Sequence, residues 1–331
     1  MMKAAIVGIA GPTLGAEEAA LLRATRPAGV ILFRRNIADP AQLRVLIAQL
    51  RAVLPRDAVL MVDQEGGRVA RLRPPHWPAH PSAAAIGAVF QRNPAAGLRA
   101  AFLSGALVGL TCADAGFGVA CAPVLDLGLP GASDVIGDRA FGPDPADIAR
   151  LARSFAAGLL AAGIQPVGKH APGHGRAQAD SHIALPVVEA NDLAADLVPF
   201  AGNADLGWMM TAHILYPALD REHPATLSRR IIEGQIRGRA GFRGVLVSDD
   251  LAMNALTGPQ AARAIAALAA GCDIALYCPG DAEGTEAVLD AVPVLTPEGA
   301  ARLAAAAAQA RRRRQNLHAP TLAAERDALL A

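Results

Sequence analysis

Eight short apolar runs punctuate this chain, and segments with helical spacing separate them. The runs are AAIVGI (4–9), GVILF (29–33), AVLMV (58–62), FGVACAP (117–123), IQPVG (164–168), LGWMMTA (206–212), GVLVS (244–248) and DIALYC (273–278). Between them lie alanine- and leucine-rich stretches such as PAQLRVLIAQLRAVL, ADIARLARSFAAGLLAAG and PQAARAIAALAAG. A strand that is apolar throughout is buried on both faces, which calls for a parallel sheet covered by helices on both sides. The α/β fold that closes at eight strands is the (β/α)8 TIM-type barrel. No linker or shift of composition divides the 331 residues, so the expectation is one catalytic barrel domain over 1–331. Residues after about 295 are expected as a helical tail packed on the outside. An open doubly wound sheet shares the alternation, but no GxGxxG follows the first run, which weakens a dinucleotide-binding version.

Composition narrows the class further. The formal net charge is +1, which gives no reason to expect nucleic acid or an anionic membrane as partner. The one dense basic run, Arg311 to Arg314, ends an alanine-rich helical stretch and reads as a solvated helix C-terminus. No stretch approaches the length needed to span a bilayer, and the first apolar run is too short for a signal peptide. Cys112, Cys121, Cys272 and Cys278 form no CxxC pair and read as buried thiols of a reducing compartment. A cytoplasmic protein, expected as a monomer, is the simplest reading.

In a (β/α)8 barrel, whatever follows a strand lies at the C-terminal mouth, where active sites are built. Four polar clusters occupy such positions: DQEGGRVARLR (63–73), SDVIGDRAFG (133–142), KHAPGHGRAQADSH (169–182) and SDDLAM (248–253). The third has almost no apolar residue and is expected to build no core. Strand alternation puts Asp249 on the face of Val245 and Val247, leaving Asp250 as the natural cap of the next helix. Asp63 ends an apolar strand before Gly66-Gly67, with Arg68 or Arg71 as candidate ion-pair partner. His170, His174, His182 and His213 could hold a metal, although Lys169 would set a cation beside it and no HExxH spacing occurs. Asp180 and His182 stand two apart, so in an extended segment they share a side and the carboxylate can orient the imidazole for acid/base work.

Together the clusters resemble the bacterial β-N-acetylhexosaminidases of glycoside hydrolase family 3, the cytoplasmic type that acts in peptidoglycan recycling. The resemblance rests on GVILFRRNI (29–37), DQEGGRVARLR, DVIGDRAFG, KHAPGHG with DSH beyond it, MMTAHILYP (209–217), PATLS (224–228) and GVLVSDDLAM (244–253). It implies a (β/α)8 barrel, no metal and no cofactor. It implies Asp249 as nucleophile, His182 as proton donor and acceptor, and Asp180 as the group tuning His182. Asp63, Arg71, Arg139, Lys169 and His170 become the sugar-binding shell. The implied substrates are muropeptides with a terminal N-acetylglucosamine (GlcNAc), cleaved with retention of configuration. One departure is Ala171, where the family usually has a Phe, and it is expected to alter packing under the loop. Rival readings are a family 3 β-glycosidase or phosphorylase, a metal-dependent barrel hydrolase, and a sugar-binding protein that lost its chemistry.

Overall fold

A computed structural model describes residues 1–181, 183–190 and 192–331. Its strands in chain order are β1 (Lys3–Val7), β2 (Pro27–Leu32), β3 (Val59–Val62), β4 (Gln64–Gly66), β5 (Val69–Ala70), β6 (Val119–Ala120), β7 (Gln165–Ala171), β8 (Trp208–Thr211), β9 (Val245–Asp250) and β10 (Ile274–Tyr277). All but β4 and β5 pair in parallel and close into a barrel in the order β1-β10-β9-β8-β7-β6-β3-β2. The eight apolar runs are therefore the eight barrel strands. β4 and β5 form a small antiparallel hairpin after β3. The fourth barrel strand is two residues long, because Pro123 has no N–H to continue the ladder.

Strand alternation splits the core in two. Ile6, Ile31, Met61, Val167, Trp208, Val245, Val247 and Ile274 fill the barrel interior. Their neighbours, among them Val7, Val30, Leu60, Val62 and Leu246, face the surrounding helices. Such a barrel is a packed core rather than a pore, and only its C-terminal end has room for a ligand.

Two expectations need correction here. The segment after 295 forms two helices, Pro297–Arg313 and Ala319–Leu330, and the first does not simply lie outside. Its Leu303 and Ala306, with Leu295 just before it, join the interior cluster, so it closes the N-terminal floor of the barrel. The helix needed a partner for its apolar stripe, and the open end of the barrel supplied it. The last helix does pack outside, on Pro94–Asp114. From it Arg326 Nη1 reaches Nδ1 of His80 at 3.3 Å, and the carbonyl of His80 accepts from Gly67 N of the hairpin at 2.9 Å.

The second correction concerns Pro94–Asp114. This helix has 21 residues, and an 18-residue stretch of it has a mean hydropathy of 1.5, enough in length and composition to cross a bilayer. It is instead largely buried against the helix Pro145–Ala161. Gly105 and Gly158 let the two backbones touch: a Cβ on Gly105 would stand 2.0 Å from the Phe155 carbonyl oxygen, and one on Gly158 2.2 Å from that of Phe102. All four cysteines are buried free thiols.

Candidate active site

A cavity opens at the C-terminal end of the barrel. Ile31, Met210 and Leu276 lie at its base, and charged side chains line its wall. The barrel strands carry several of these directly. Asp63 follows β3, Lys169 and His170 belong to β7, and Asp249 and Asp250 end β9. Glu65 and Arg71 come from the β4–β5 hairpin. Buried Gln64 fastens that hairpin: its side-chain oxygen accepts from Arg71 N and Leu72 N at 2.9 and 3.0 Å, and its amide donates to Leu72 O at 2.8 Å. Arg139 ends a single 3-10 turn, Gly137–Arg139, in the loop after β6.

These charges form a continuous chain. Arg71 Nη2 lies 2.9 Å from Asp63 Oδ2, and Lys169 Nζ lies 3.0 Å from Asp63 Oδ1 and 2.6 Å from Glu65 Oε1. Arg139 then grips Glu65 with two bonds of 2.9 Å. Lys169 is 2% exposed, and an unpaired ammonium that deep would surrender its proton. Burial does push Lys169 down, but Asp63 and Glu65 outweigh it and hold it above its usual range. Burial likewise pushes Asp63 up, while Lys169 and Arg71 more than reverse it and keep the carboxylate ionised. Breaking one member of such a set leaves a buried charge without its partner, which is strongly destabilising.

A second network meets the first at His170. Asp126 is fully buried, and its carboxylate accepts His170 Nδ1–H at 2.7 Å, the backbone N–H of His170 at 3.1 Å and that of His174 at 2.7 Å. The second ring nitrogen of His170 is 3.5 Å from Arg139 Nη2 and borders the cavity. Opposite stands Asp249. Burial raises its pKa, yet His170, His213, the backbone N–H of Asp250 and Lys169 bring it below the ordinary aspartate value. One carboxylate oxygen accepts that N–H at 2.8 Å, and Asp249 still borders the cavity. An ionised carboxylate at the mouth of a barrel, held by a backbone N–H and near cationic side chains, is equipped to attack or stabilise an electrophilic carbon.

With this geometry in place, known proteins supply the comparison. The family described as "Glycosyl hydrolase family 3 N terminal domain" matches residues 5–312. The chain belongs to glycoside hydrolase family 3. It is 43% identical over 310 residues to a β-hexosaminidase of Pseudomonas aeruginosa, covering 92% of this chain and 90% of that one. A β-hexosaminidase of Aromatoleum aromaticum is 39% identical over 307 residues, covering 91% of this chain and 86% of the relative. Among solved structures, NagZ from Neisseria gonorrhoeae in complex with N-trifluoroacetyl-D-glucosamine superimposes with a TM-score of 0.89 at 31% identity, over 100% of this chain and 98% of that one. The enzyme is thus a NagZ-like β-hexosaminidase of family 3.

Most residues singled out in the sequence of this β-hexosaminidase converge on the cavity. Asp63, Arg71, Arg139, Lys169, His170 and Asp249 all line it. Asp180 is partly exposed in the loop beyond β7, and His182 lies outside the described residues. Of the two arginines offered for Asp63, Arg71 pairs with it beside Lys169, while Arg68 pairs with Asp138. Lys169 and His170 do not follow the fifth barrel strand but belong to it, since β7 runs to Ala171. From Lys169 to Gly175 the polar motif is buried throughout, because its charges are paired rather than hydrated. Asp250 does not cap a helix, as the next one begins at Gln260. Its carboxylate instead ties the turn at Ala252 N to Cys278 N after β10, both at 3.0 Å. Ala171 packs in the outer core, away from the cavity. His213 is engaged by Thr226 Oγ1 at 2.8 Å and by the Asp250 carbonyl at 2.9 Å. Among the described residues no three His, Cys, Asp or Glu side chains gather as a metal site.

Sequence reasoning missed Glu65 and Asp126. Glu65 sat inside a motif read for its aspartate and arginine. Asp126 closes the apolar run 117–125, the same signal that drew attention to Asp63 and Asp249.

Proposed function

We propose that this β-hexosaminidase removes terminal, non-reducing β-linked GlcNAc with retention of configuration, and that its substrates are GlcNAc-1,6-anhydroMurNAc-peptides released during cell-wall recycling. The supporting observation is Asp249: a carboxylate kept ionised at the mouth of β9, at the edge of a cavity whose wall also carries paired cations and carboxylates. In the first step Asp249 bonds to the anomeric carbon as the bond to the leaving oxygen breaks, and His182 gives that oxygen its proton. In the second, His182 takes a proton from water, the water oxygen bonds to the same carbon, and Asp249 departs. Two inversions leave the β configuration. An imidazole with an ordinary pKa near 6.5 can serve both steps close to neutral pH, and Asp180 orients it.

The remaining groups suit a hexosamine. Asp63 accepts from hydroxyls, while Arg71, Arg139, Lys169 and the outward nitrogen of His170 offer partners to hydroxyl and amide oxygens. Because each is held by a charged neighbour, little reorganisation is needed as charge develops on the sugar. The likeness to a structure holding an N-acyl glucosamine supports GlcNAc as the glycone. Cytoplasmic location and a monomeric state belong to the same proposal, resting on the four free buried thiols and on a barrel that houses its own site. Digestion of purified GlcNAc-anhydroMurNAc-tripeptide, with the products resolved by mass, tests the reading. Free GlcNAc and intact anhydroMurNAc-tripeptide are expected, and an uncleaved muropeptide beside rapid cleavage of chitobiose would reject the recycling role.

A further inference from the structure

Arg68 stands in the two-residue turn of the β4–β5 hairpin, and its side chain is 49% exposed. An exposed ion pair holds little by itself. Arg68 does more than pair. Its Nε donates to Asp138 Oδ1 at 2.8 Å, and its Nη2 donates to the carbonyls of Asp134, of Val135 at 3.1 Å and of Ile136 at 3.2 Å. One guanidinium thus meets four oxygens of the loop after β6. Gly137 makes room for it: a φ of +47° turns the chain there, and a Cβ would stand 3.4 Å from Nη2.

The two sides of this contact differ. The hairpin is the fixed side: Gln64 fastens it from within, and Gly67 N of its turn donates to His80 O at 2.9 Å. The loop is closed at its base by Gly128 N donating to Gly142 O at 2.8 Å, and Arg68 grips it in the middle. Arg139 leaves the same stretch towards the cavity. Its Nη1 donates at 2.8 Å to Val135 O, the carbonyl that Arg68 also holds, while its Nε and Nη2 grip Glu65. Val135 O therefore sits between two guanidiniums, and that of Arg139 lines the cavity. A shift of that oxygen would shift the seat of Arg139.

We propose that Arg68 is a positioning residue for the sugar site: from behind the cavity wall it pins the carbonyls of residues 134–136 to the hairpin and so sets the guanidinium of Arg139. The proposal rests on Arg139 belonging to the sugar-binding shell. Glu65 fixes one side of Arg139 and the Val135 carbonyl another, and a preorganised donor needs both to keep its direction before the sugar arrives. An arginine suits the task, since its planar fork offers several donors at fixed angles where a lysine offers a point charge.

The test compares Arg68→Ala, Arg68→Lys, Arg139→Ala and the double variant Arg68→Ala with Arg139→Ala. Each is assayed on para-nitrophenyl N-acetyl-β-glucosaminide, with a thermal melt beside the kinetics. Loosening a binding group should raise KM about tenfold in Arg68→Ala, with kcat changed much less. Arg68→Lys should recover part of that loss. On the Arg139→Ala background, removing Arg68 should raise KM no further, since the first residue acts through the second. Lost stability alone would not give this pattern, because a smaller folded fraction lowers apparent kcat and leaves KM in place. A parent-like KM in Arg68→Ala, a loss confined to kcat, or a KM rise that multiplies undiminished onto that of Arg139→Ala would overturn the positioning role and leave Arg139 in the sugar shell. A parent-like KM in Arg139→Ala would instead remove Arg139 from that shell, and the proposal with it.

Discussion

Nδ1 of His170 lies 2.7 Å from Oδ2 of Asp126, and no part of that carboxylate reaches solvent. Donation there leaves the other ring nitrogen to face the cavity. The same carboxylate also collects the backbone N–H groups of His170 and His174. One aspartate therefore sets a ring and the path of the chain that carries it. Asp126→Asn keeps the shape but offers an amide where a carboxylate received three N–H groups. A fall in kcat/KM of about tenfold or more is expected, as for the loss of an orienting partner in a preorganised site. Steady-state kinetics beside a circular dichroism spectrum checks this, and unaltered kinetics would remove Asp126 from the account.

The same residue predicts how stability responds to acid. Burial raises the pKa of Asp126, but the charge and hydrogen bond of His170, with His174, overcome it and bring it to about 2. A group whose folded pKa is depressed contributes stability that is present above its unfolded value near 4 and lost as pH falls towards 2. Asp63 acts in the same direction. Melting temperature should drop steeply between about pH 4 and pH 2, and the Asp126→Asn variant should show a shallower slope there. A variant as acid-sensitive as the parent would contradict the assignment.

Glu65 bridges Lys169 and Arg139, which the sugar is proposed to meet. Replacing it with Gln leaves two buried cations short of a counter-charge, so both side chains should shift. KM for a GlcNAc substrate should rise about tenfold with a smaller change in kcat, because the damage falls on binding groups rather than on Asp249. A kcat loss with KM intact would place Glu65 in the chemistry instead.

Because Asp249 is held below the ordinary aspartate value, it stays ionised across the neutral range and contributes no limb there. The limb should come from His182. On substrates with poor leaving groups, kcat/KM should fall as pH rises and the proposed donor loses the proton it must give. On activated aryl glycosides that fall should be much weaker. The same limb on both substrates would show that the titrating group does not protonate the leaving oxygen.

The barrel was legible because its strands are apolar on both faces, and the mouth because polar residues cluster only after strand ends. What stayed hidden depends on partners far apart in sequence. Lys169 and His170 looked like loop residues, since nothing local says that Asp63, 106 positions away, and Asp126, 44 away, neutralise them inside a strand. The helix Pro297–Arg313 has an ordinary amphipathic pattern, which cannot say whether its stripe meets a neighbouring helix or the floor of a barrel. The full length of the apolar helix Pro94–Asp114 went unread in the sequence, and its glycine contacts with Pro145–Ala161 reveal it as a core element. Within the site, Asp63 and Asp249 stood out at the ends of apolar runs, whereas Asp126 was passed over and Glu65 had to be seen beside Arg139.

The account turns on a covalent bond between Asp249 and the sugar. A slow 5-fluoro N-acetylglucosaminyl donor should trap that intermediate, and proteolysis with mass mapping should find one adduct, on Asp249, while proton NMR of an ordinary turnover shows the β anomer released first. An adduct on any other residue, or no adduct together with initial release of the α anomer, would contradict it.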